Sequence, residues 1–254
     1  MKIEDMQAVV SGAASGLGRA VAQALAGAGA EVTIFDLNAE AGAATAAELG
    51  GHFARVDVSD PESVAHGLAE VAARQAPLRI AVNCAGIAPA AKTVSRGAAH
   101  DPALFARVVA VNLQGSFNLA SQAAALIATA PHLGTDGARG VIVSTASVAA
   151  YDGQVGQVGY AASKGGIVAM TLPMARDLAP LGIRVCAVAP GIFRTPLLEG
   201  LPQEVQDSLA GQVPFPSRLG EPAEFAALVR HIVENDMLNG EVIRLDGAIR
   251  MAPR

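Results

Sequence analysis

The chain of 254 residues is 52% apolar and 16% charged, a balance that excludes a disordered or low-complexity polypeptide and suits a large buried core. Its formal charge of −5, from 18 basic and 23 acidic residues, offers no general attraction for nucleic acid or an anionic membrane surface. Two cysteines, Cys84 and Cys186, exclude a disulfide framework, and no apolar run approaches the ~20 residues of a membrane span.

The opening MKIEDM carries two acids and one lysine and does not read as a signal or transit peptide. The expectation is a soluble protein of a reducing, bacterial-type cytoplasm. No metal is called for.

Along the chain, short β-branched apolar runs alternate with alanine-rich stretches. The runs at 8–10, 31–35, 53–56, 79–83, 141–144, 184–189 and 241–245 are mostly continuous rather than alternating, as strands buried on both faces are. Helices are expected at 16–28, 39–49, 61–74, 102–130 and 160–178. The third opens on Asp60-Pro61, a cap followed by proline at the first helical position. Pro173 predicts a kink or break in the last. Repeated strand–helix units predict one α/β domain over 1–254, a Rossmann-type doubly wound parallel sheet of about seven strands with helices on both faces. The least regular stretch, 190–216, is rich in proline and carries Phe193, Leu197, Leu198, Val213 and Phe215. It reads as a substrate loop.

The first strand runs into SGAASGLG, with glycines at Gly12, Gly16 and Gly18. Missing side chains let backbone N–H groups approach a pyrophosphate, and the following helix N-terminus offers partial positive charge. The spacing is GxxxGxG rather than GxGxxG, and with 27 glycines in the chain position carries the signal: the loop lies between the first strand and the first helix. The second strand ends at Asp36, where a Rossmann unit places the acid that accepts hydrogen bonds from the adenosine ribose. A carboxylate there repels a 2′-phosphate, and Leu37 and Asn38 supply no cation, so NAD is favoured over NADP.

Tyr160 and Lys164, in YAASK, share one helical face. With two tyrosines and three lysines in the chain, a chance pair at this spacing arises at about 2%. A phenol is a poor base at neutral pH, and a neighbouring ammonium is expected to lower its pKa. Such a tyrosine takes a proton from an alcohol as hydride leaves the carbon. Ser147, just past the strand at 141–144, is placed to hold the same oxygen.

With these motifs the chain resembles the short-chain dehydrogenase/reductase family over nearly its whole length. Further motifs are Asp57-Val58, NCAG from Asn83 through Cys84 and Ala85 to Gly86, Asn112 in VNL, and PGIFRTP from Pro190. The resemblance implies that Ser15 and Leu17 contact the pyrophosphate region, that Asp57 and Val58 flank adenine, and that the NCAG backbone supports the cofactor. It implies that Lys164 and Tyr160 also meet the nicotinamide ribose, that Pro190, Phe193 and Thr195 border the nicotinamide, and that Asn112 holds a water relaying protons toward Lys164. Ser11 stands where the family usually has Thr, and Cys84 where it usually has Asn.

A longer similarity runs through 146–185, GIFRTPLL, QVPFPSRLG and NGEVIRLDGAIRM. It is to those family members that oxidise 3-hydroxyacyl-CoA thioesters with NAD. It implies interconversion of (3S)-3-hydroxyacyl-CoA and 3-oxoacyl-CoA, an acyl-CoA substrate and a homotetramer. Gln154 and Gln157 are then candidates for the thioester carbonyl, and Lys92, Arg96 and Arg194 for the coenzyme phosphates. The same chemistry on a steroid or another secondary alcohol is the rival reading. A dinucleotide-binding scaffold is the rival from another class, against which the intact Ser147, Tyr160 and Lys164 argue.

Overall fold

Alternation of buried side chains about a flat ribbon organises the molecule. The structure, a computed structural model, describes residues 1–200 and 202–253. Among the described residues seven strands form one parallel sheet: β1 (Gln7–Ser11), β2 (Glu31–Asp36), β3 (His52–Arg55), β4 (Leu78–Asn83), β7 (Gly140–Thr145), β8 (Ile183–Pro190) and β9 (Val242–Leu245), in the spatial order 3-2-1-4-7-8-9. Between β4 and β7 lies a two-stranded antiparallel hairpin, β5 (Val94–Ser95) and β6 (Ala98–Ala99). All seven expected strands are present, in the doubly wound arrangement.

Each strand feeds two cores. Ala8, Val10, Val32, Ile34, Ile80, Val82, Val141 and Val143 point to one face, where they meet Val21, Ala22 and Leu25 of α1 (Gly16–Gly27). Val9, Phe35, Ala81 and Ile142 point to the other and meet α3 (Pro61–Ala72) and α5 (Gly115–Ala128). Burial on both faces explains why the runs read as uninterrupted apolar segments. Asp60 caps α3 by accepting the Glu62 N–H (3.0 Å), and Asn38 caps α2 (Ala39–Leu49) by accepting that of Ala41 (3.1 Å).

Three expectations change. The helix expected at 102–130 is α4 (Pro102–Val109) and α5 joined by a π-helical turn, Ala110–Gln114. The wider turn aims Asn112 inward, a displacement that periodicity does not reveal. The helix α6 (Val158–Leu178) is not broken at Pro173. Pro173 and Ala169, whose carbonyl it leaves free, are both exposed, so water serves that carbonyl. The stretch 190–216 holds two short helices, α7 (Pro196–Glu199) and α8 (Gln203–Ala210).

A further helix, α9 (Pro222–Glu234), packs on α1 and was not read from the sequence. Its signal was available: proline at N1 and a reciprocal capping box between Glu221 and Glu224. Phe225, Ala226, Val229, Ile232 and Val233 face the core. Phe225 is fully buried, edge-on to Phe193 with centroids 6.3 Å apart. Truncation of Phe225 to Ala should therefore cost about 3–5 kcal/mol, read as a lowered urea midpoint. An unchanged midpoint would show that α9 adds nothing to the core.

Candidate active site

The carboxyl ends of β1, β2, β3, β4, β7 and β8 open on one cleft of about 830 Å³, within the range of small-molecule sites. It lies at the topological switch of the sheet, where β1 is flanked by β2 and β4.

Gly12 sits at φ +66°, where L side chains are strained, and a Cβ there would stand 2.6 Å from the backbone of Ala85. A Cβ on Gly18 would strike the Gly12 carbonyl oxygen. These glycines let the turn after β1 lie against the end of β4. Ser11 fastens the contact, its Oγ accepting the N–H groups of Cys84 (3.2 Å) and Ala85 (3.3 Å). The N-cap of α1 is Ser15, with no side-chain cap, so the first N–H groups of α1 carry no side-chain acceptor. Ser15, Gly16, Leu17 and Gly18 line the cleft. The Asp36 carboxylate accepts from Ala14 N (3.0 Å) and Asn38 N (2.9 Å), one bond per oxygen. Each oxygen keeps a free lone pair at the cleft edge.

Asp57 and Val58 also line the cleft, but the Asp57 carboxylate turns back to Ser59, accepting its N–H (2.9 Å) and its hydroxyl (2.6 Å). Val58 presents its side chain, its carbonyl held by Asn118 Nδ2 (2.9 Å). Cys84, Ala85 and Gly86 form the wall opposite. Asn83 does not lie on that wall: it is buried within β4, donating to Ser144 Oγ (3.2 Å). Burial pushes the Cys84 thiol up to about 11, which leaves it protonated and unreactive.

Ser147, Tyr160 and Lys164 converge at the far end. Ser147 follows β7, and its Oγ accepts the Ala149 N–H (3.1 Å). Tyr160 and Lys164 stand on one face of α6, the ammonium 5.7 Å from the phenol ring centre. Lys164 is only 4% exposed and donates from Nζ to the Thr145 carbonyl (2.6 Å). Burial lowers the ammonium to about 8. The expected depression of the phenol is not found. Burial raises Tyr160, and its hydrogen bond with Ser147 only partly opposes that. Spacing revealed the pair but not the desolvation around it.

Asn112 lies behind the wall, fully buried. Its Oδ1 accepts from Ile87 N (2.8 Å), and its Nδ2 donates to Ile87 O (2.9 Å) and Ser163 Oγ (3.0 Å). The π-helical turn thus ties the segment after β4 to α6.

Gln154 and Gln157 line the cleft beside Tyr160, with Gln157 Oε1 accepting the Gln154 N–H (3.0 Å). Pro190, Phe193 and Thr195 line it from the end of β8. Of the apolar residues expected from 190–216, Leu198 lines the cleft, Val213 is buried beneath it, and Phe215 is 84% exposed. The side chain of Leu197 lies outside the described residues. None of the three expected cations lines this cleft: Arg194 pairs with Glu221 (3.1 Å), Arg96 sits in the turn of the β5–β6 hairpin, and Lys92 borders a second hollow that shares Gln154 and Gln157 with the cleft. Arg107, exposed on α4, is the cation on the rim. Its signal was its place one helical turn before Val111, which also faces the cleft. Met251 was also missed, and no local pattern marks it.

No described helix is long and apolar enough to cross a membrane. The family model for the short chain dehydrogenase matches residues 6–206. The chain is 54% identical over 256 residues to human 3-hydroxyacyl-CoA dehydrogenase type-2, covering 99% of this chain and 97% of that one. The Drosophila melanogaster protein of the same name is 50% identical, covering 99% and 100%. Human (3R)-3-hydroxyacyl-CoA dehydrogenase is 35% identical over 266 residues, covering 98% and 97%. A crystal structure of 3-hydroxyacyl-CoA dehydrogenase type-2 from Mycobacterium avium superposes with a TM-score of 0.94 at 42% identity, covering 98% of each chain. The seven-stranded sheet, the glycine turn and these matches together assign the chain to the short-chain dehydrogenase family, an oxidoreductase family.

Proposed function

We propose that this protein is an NAD-dependent dehydrogenase that interconverts (3S)-3-hydroxyacyl-CoA and 3-oxoacyl-CoA thioesters. The observation that carries it is the convergence of Ser147, Tyr160 and Lys164 at the closed end of a cleft whose other end is a glycine-lined cradle. The similarity to proteins named for that substrate supports the choice of alcohol. One domain holds both halves of the site.

The cradle fits a dinucleotide. Gly12 and Gly18 let the turn after β1 close against Ala85 and on itself, and the N-terminus of α1 beside that turn, which lines the cleft, suits a pyrophosphate. Asp36 retains lone pairs for two ribose hydroxyls, and its charge disfavours a 2′-phosphate. Val58 and Ala85 flank the adenine end. A nicotinamide dinucleotide held by these residues would supply the hydride acceptor.

Ser147 and Tyr160 hold the substrate oxygen between them, and Tyr160 takes its proton in oxidation or returns it in reduction. Lys164 supplies positive charge beside the phenol without touching the substrate, and its bond to Thr145 fixes it there. Burial raises the Tyr160 phenol, and its hydrogen bond with Ser147 opposes that. Gln154 and Gln157 face the thioester carbonyl. Asn112 positions α6 against the segment after β4. Exposed Phe105, Phe117, Val158 and Leu172 on α4, α5 and α6 support burial in a homotetramer. The two free thiols fit a reducing, cytoplasmic setting.

Acetoacetyl-CoA with NADH is the deciding assay, and 3-hydroxybutyryl-CoA enantiomers with NAD settle the stereochemistry. Preference for a hydroxysteroid, or for the (3R) alcohol, overturns the substrate assignment. Tyr160→Phe should lower kcat by about 10²–10⁴ while NADH fluorescence titration shows binding changed less than threefold. Activity retained in that variant removes Tyr160 as the proton carrier. Asp36→Ala should raise the NADP-to-NAD ratio of kcat/KM by about tenfold or more. An unmoved ratio takes Asp36 out of the ribose site.

Burial of Lys164 has a stability consequence. Between its folded pKa of about 8 and the unfolded value near ~10.4, the unfolded chain binds a proton that the native chain does not. Stability therefore rises with pH across that window. From pH 8 to 9 the cofactor-free protein should gain up to ~1 kcal/mol relative to Lys164→Met, read from urea midpoints of both proteins. Parallel midpoints would show an ammonium unperturbed by burial.

A further inference from the structure

The segment 246–253 is pinned at both ends and crosses the substrate side of the cleft between them. At its start Arg244, on β9, donates from Nη2 to Asp152 (2.6 Å) and to the Ile249 carbonyl (3.0 Å), and from Nε to Asp246 (2.7 Å). Arg244 and Asp152 are four-fifths buried, and the guanidinium lies 5.1 Å over the Tyr151 ring. Ile249 is 1% exposed and anchors the turn. Gly247, at φ +58°, lets the segment approach 190–216, where Phe215 N donates to its carbonyl (3.3 Å).

At its end the Ala252 carbonyl accepts from Gln154 Nε2 (2.9 Å), and the Pro253 carbonyl from Val155 N (3.0 Å). Between the anchors Met251 lines the cleft together with Gln154, Gln157, Leu198 and Leu209. The segment thus closes a gap between the loop that precedes the Tyr160 helix and the short helices α7 and α8.

We infer that Met251 is a specificity-determining residue: clamped by Arg244 and Asp152, segment 246–253 is the wall that limits the length of the substrate's apolar arm. The inference rests on the dehydrogenase reading above and names a determinant within that same site. A thioether is apolar and unbranched, so it fills space against chains of different shape yet still occupies the volume a longer arm needs. Arg244 and Asp152 touch neither substrate nor cofactor. They are positioning residues, acting through the path of the chain at Met251.

The test uses the protein saturated with NADH and 3-oxoacyl-CoA thioesters of four, six and eight acyl carbons. Met251→Ala should raise the eight-to-four-carbon ratio of kcat/KM by about tenfold or more, the scale of methylene discrimination in apolar pockets. Met251→Phe should lower it. Profiles parallel to wild type in both variants overturn the inference. Asp152→Asn should raise KM several-fold with a much smaller change in kcat, and Asp152→Glu should recover most of the loss. A fall in kcat at unchanged KM refutes the clamp. If wild type reduces no thioester, the substrate assignment alone falls, and the ratio is read on a series of simple 2-ketones, where an unmoved ratio overturns Met251. Reduction of neither series removes both readings.

Discussion

A buried ammonium constrains the active end of this molecule. Lys164 is 4% exposed, and its protein acceptor is the Thr145 carbonyl at the end of β7. Removing a charge from water costs several kcal/mol, and the depressed value of about 8 records how incompletely one carbonyl offsets it. The neighbourhood is arranged around that group. Gly86 has no side chain where a Cβ would come 3.2 Å from Asn112 Oδ1 and 3.7 Å from Lys164 Nζ. Asn112 bonds both polar groups of the Ile87 backbone and the Ser163 hydroxyl, which fixes the segment after β4 against α6. The phenol beside it is partly buried in the cleft wall, and that burial raises Tyr160 where spacing alone suggested the opposite.

The sheet makes this arrangement rigid. Because all seven strands are parallel, their carboxyl ends lie on one edge, and six of them deliver cleft residues from backbone already fixed by ladder hydrogen bonds. The cofactor half of the cleft needs no side-chain clasp: it follows from the near-contact of the turn at Gly12 with Ala85, locked by Ser11. Serine suffices at that position because the bond made is by the hydroxyl.

What was legible in the sequence divides along the same line. Strands buried on both faces announce themselves as apolar runs, and the glycine turn, Asp36 and the Tyr160–Lys164 pair are local patterns whose positions followed from those strands. The misses had two causes. Some signals were present and unread: Glu221, Pro222 and Glu224 mark the start of α9, and Arg107 stands in register with Val111. Others exist only in three dimensions. A π-helical turn leaves the apolar pattern of a helix intact, burial around Tyr160 is a tertiary property, and Met251 reaches the cleft through contacts made about a hundred residues away at Asp152 and Gln154.

The half of the cleft away from the glycine turn is built by a different physical rule. Its walls are connections, at 151–157, 190–216 and 246–253, which share few core contacts. Tyr151, Val155 and Phe215 are 47%, 49% and 84% exposed. These segments are held to one another by discrete bonds such as Arg244 to Asp152 and Gln154 to Ala252. Phe193 apart, a substitution there changes one bond or one side-chain volume and leaves the cores on the two faces of the sheet untouched. A substitution at Gly12 or Lys164 disturbs the strand ends themselves. The outer walls are therefore free to vary while Tyr160, Lys164 and the glycine turn are held in place by the same packing that holds the fold.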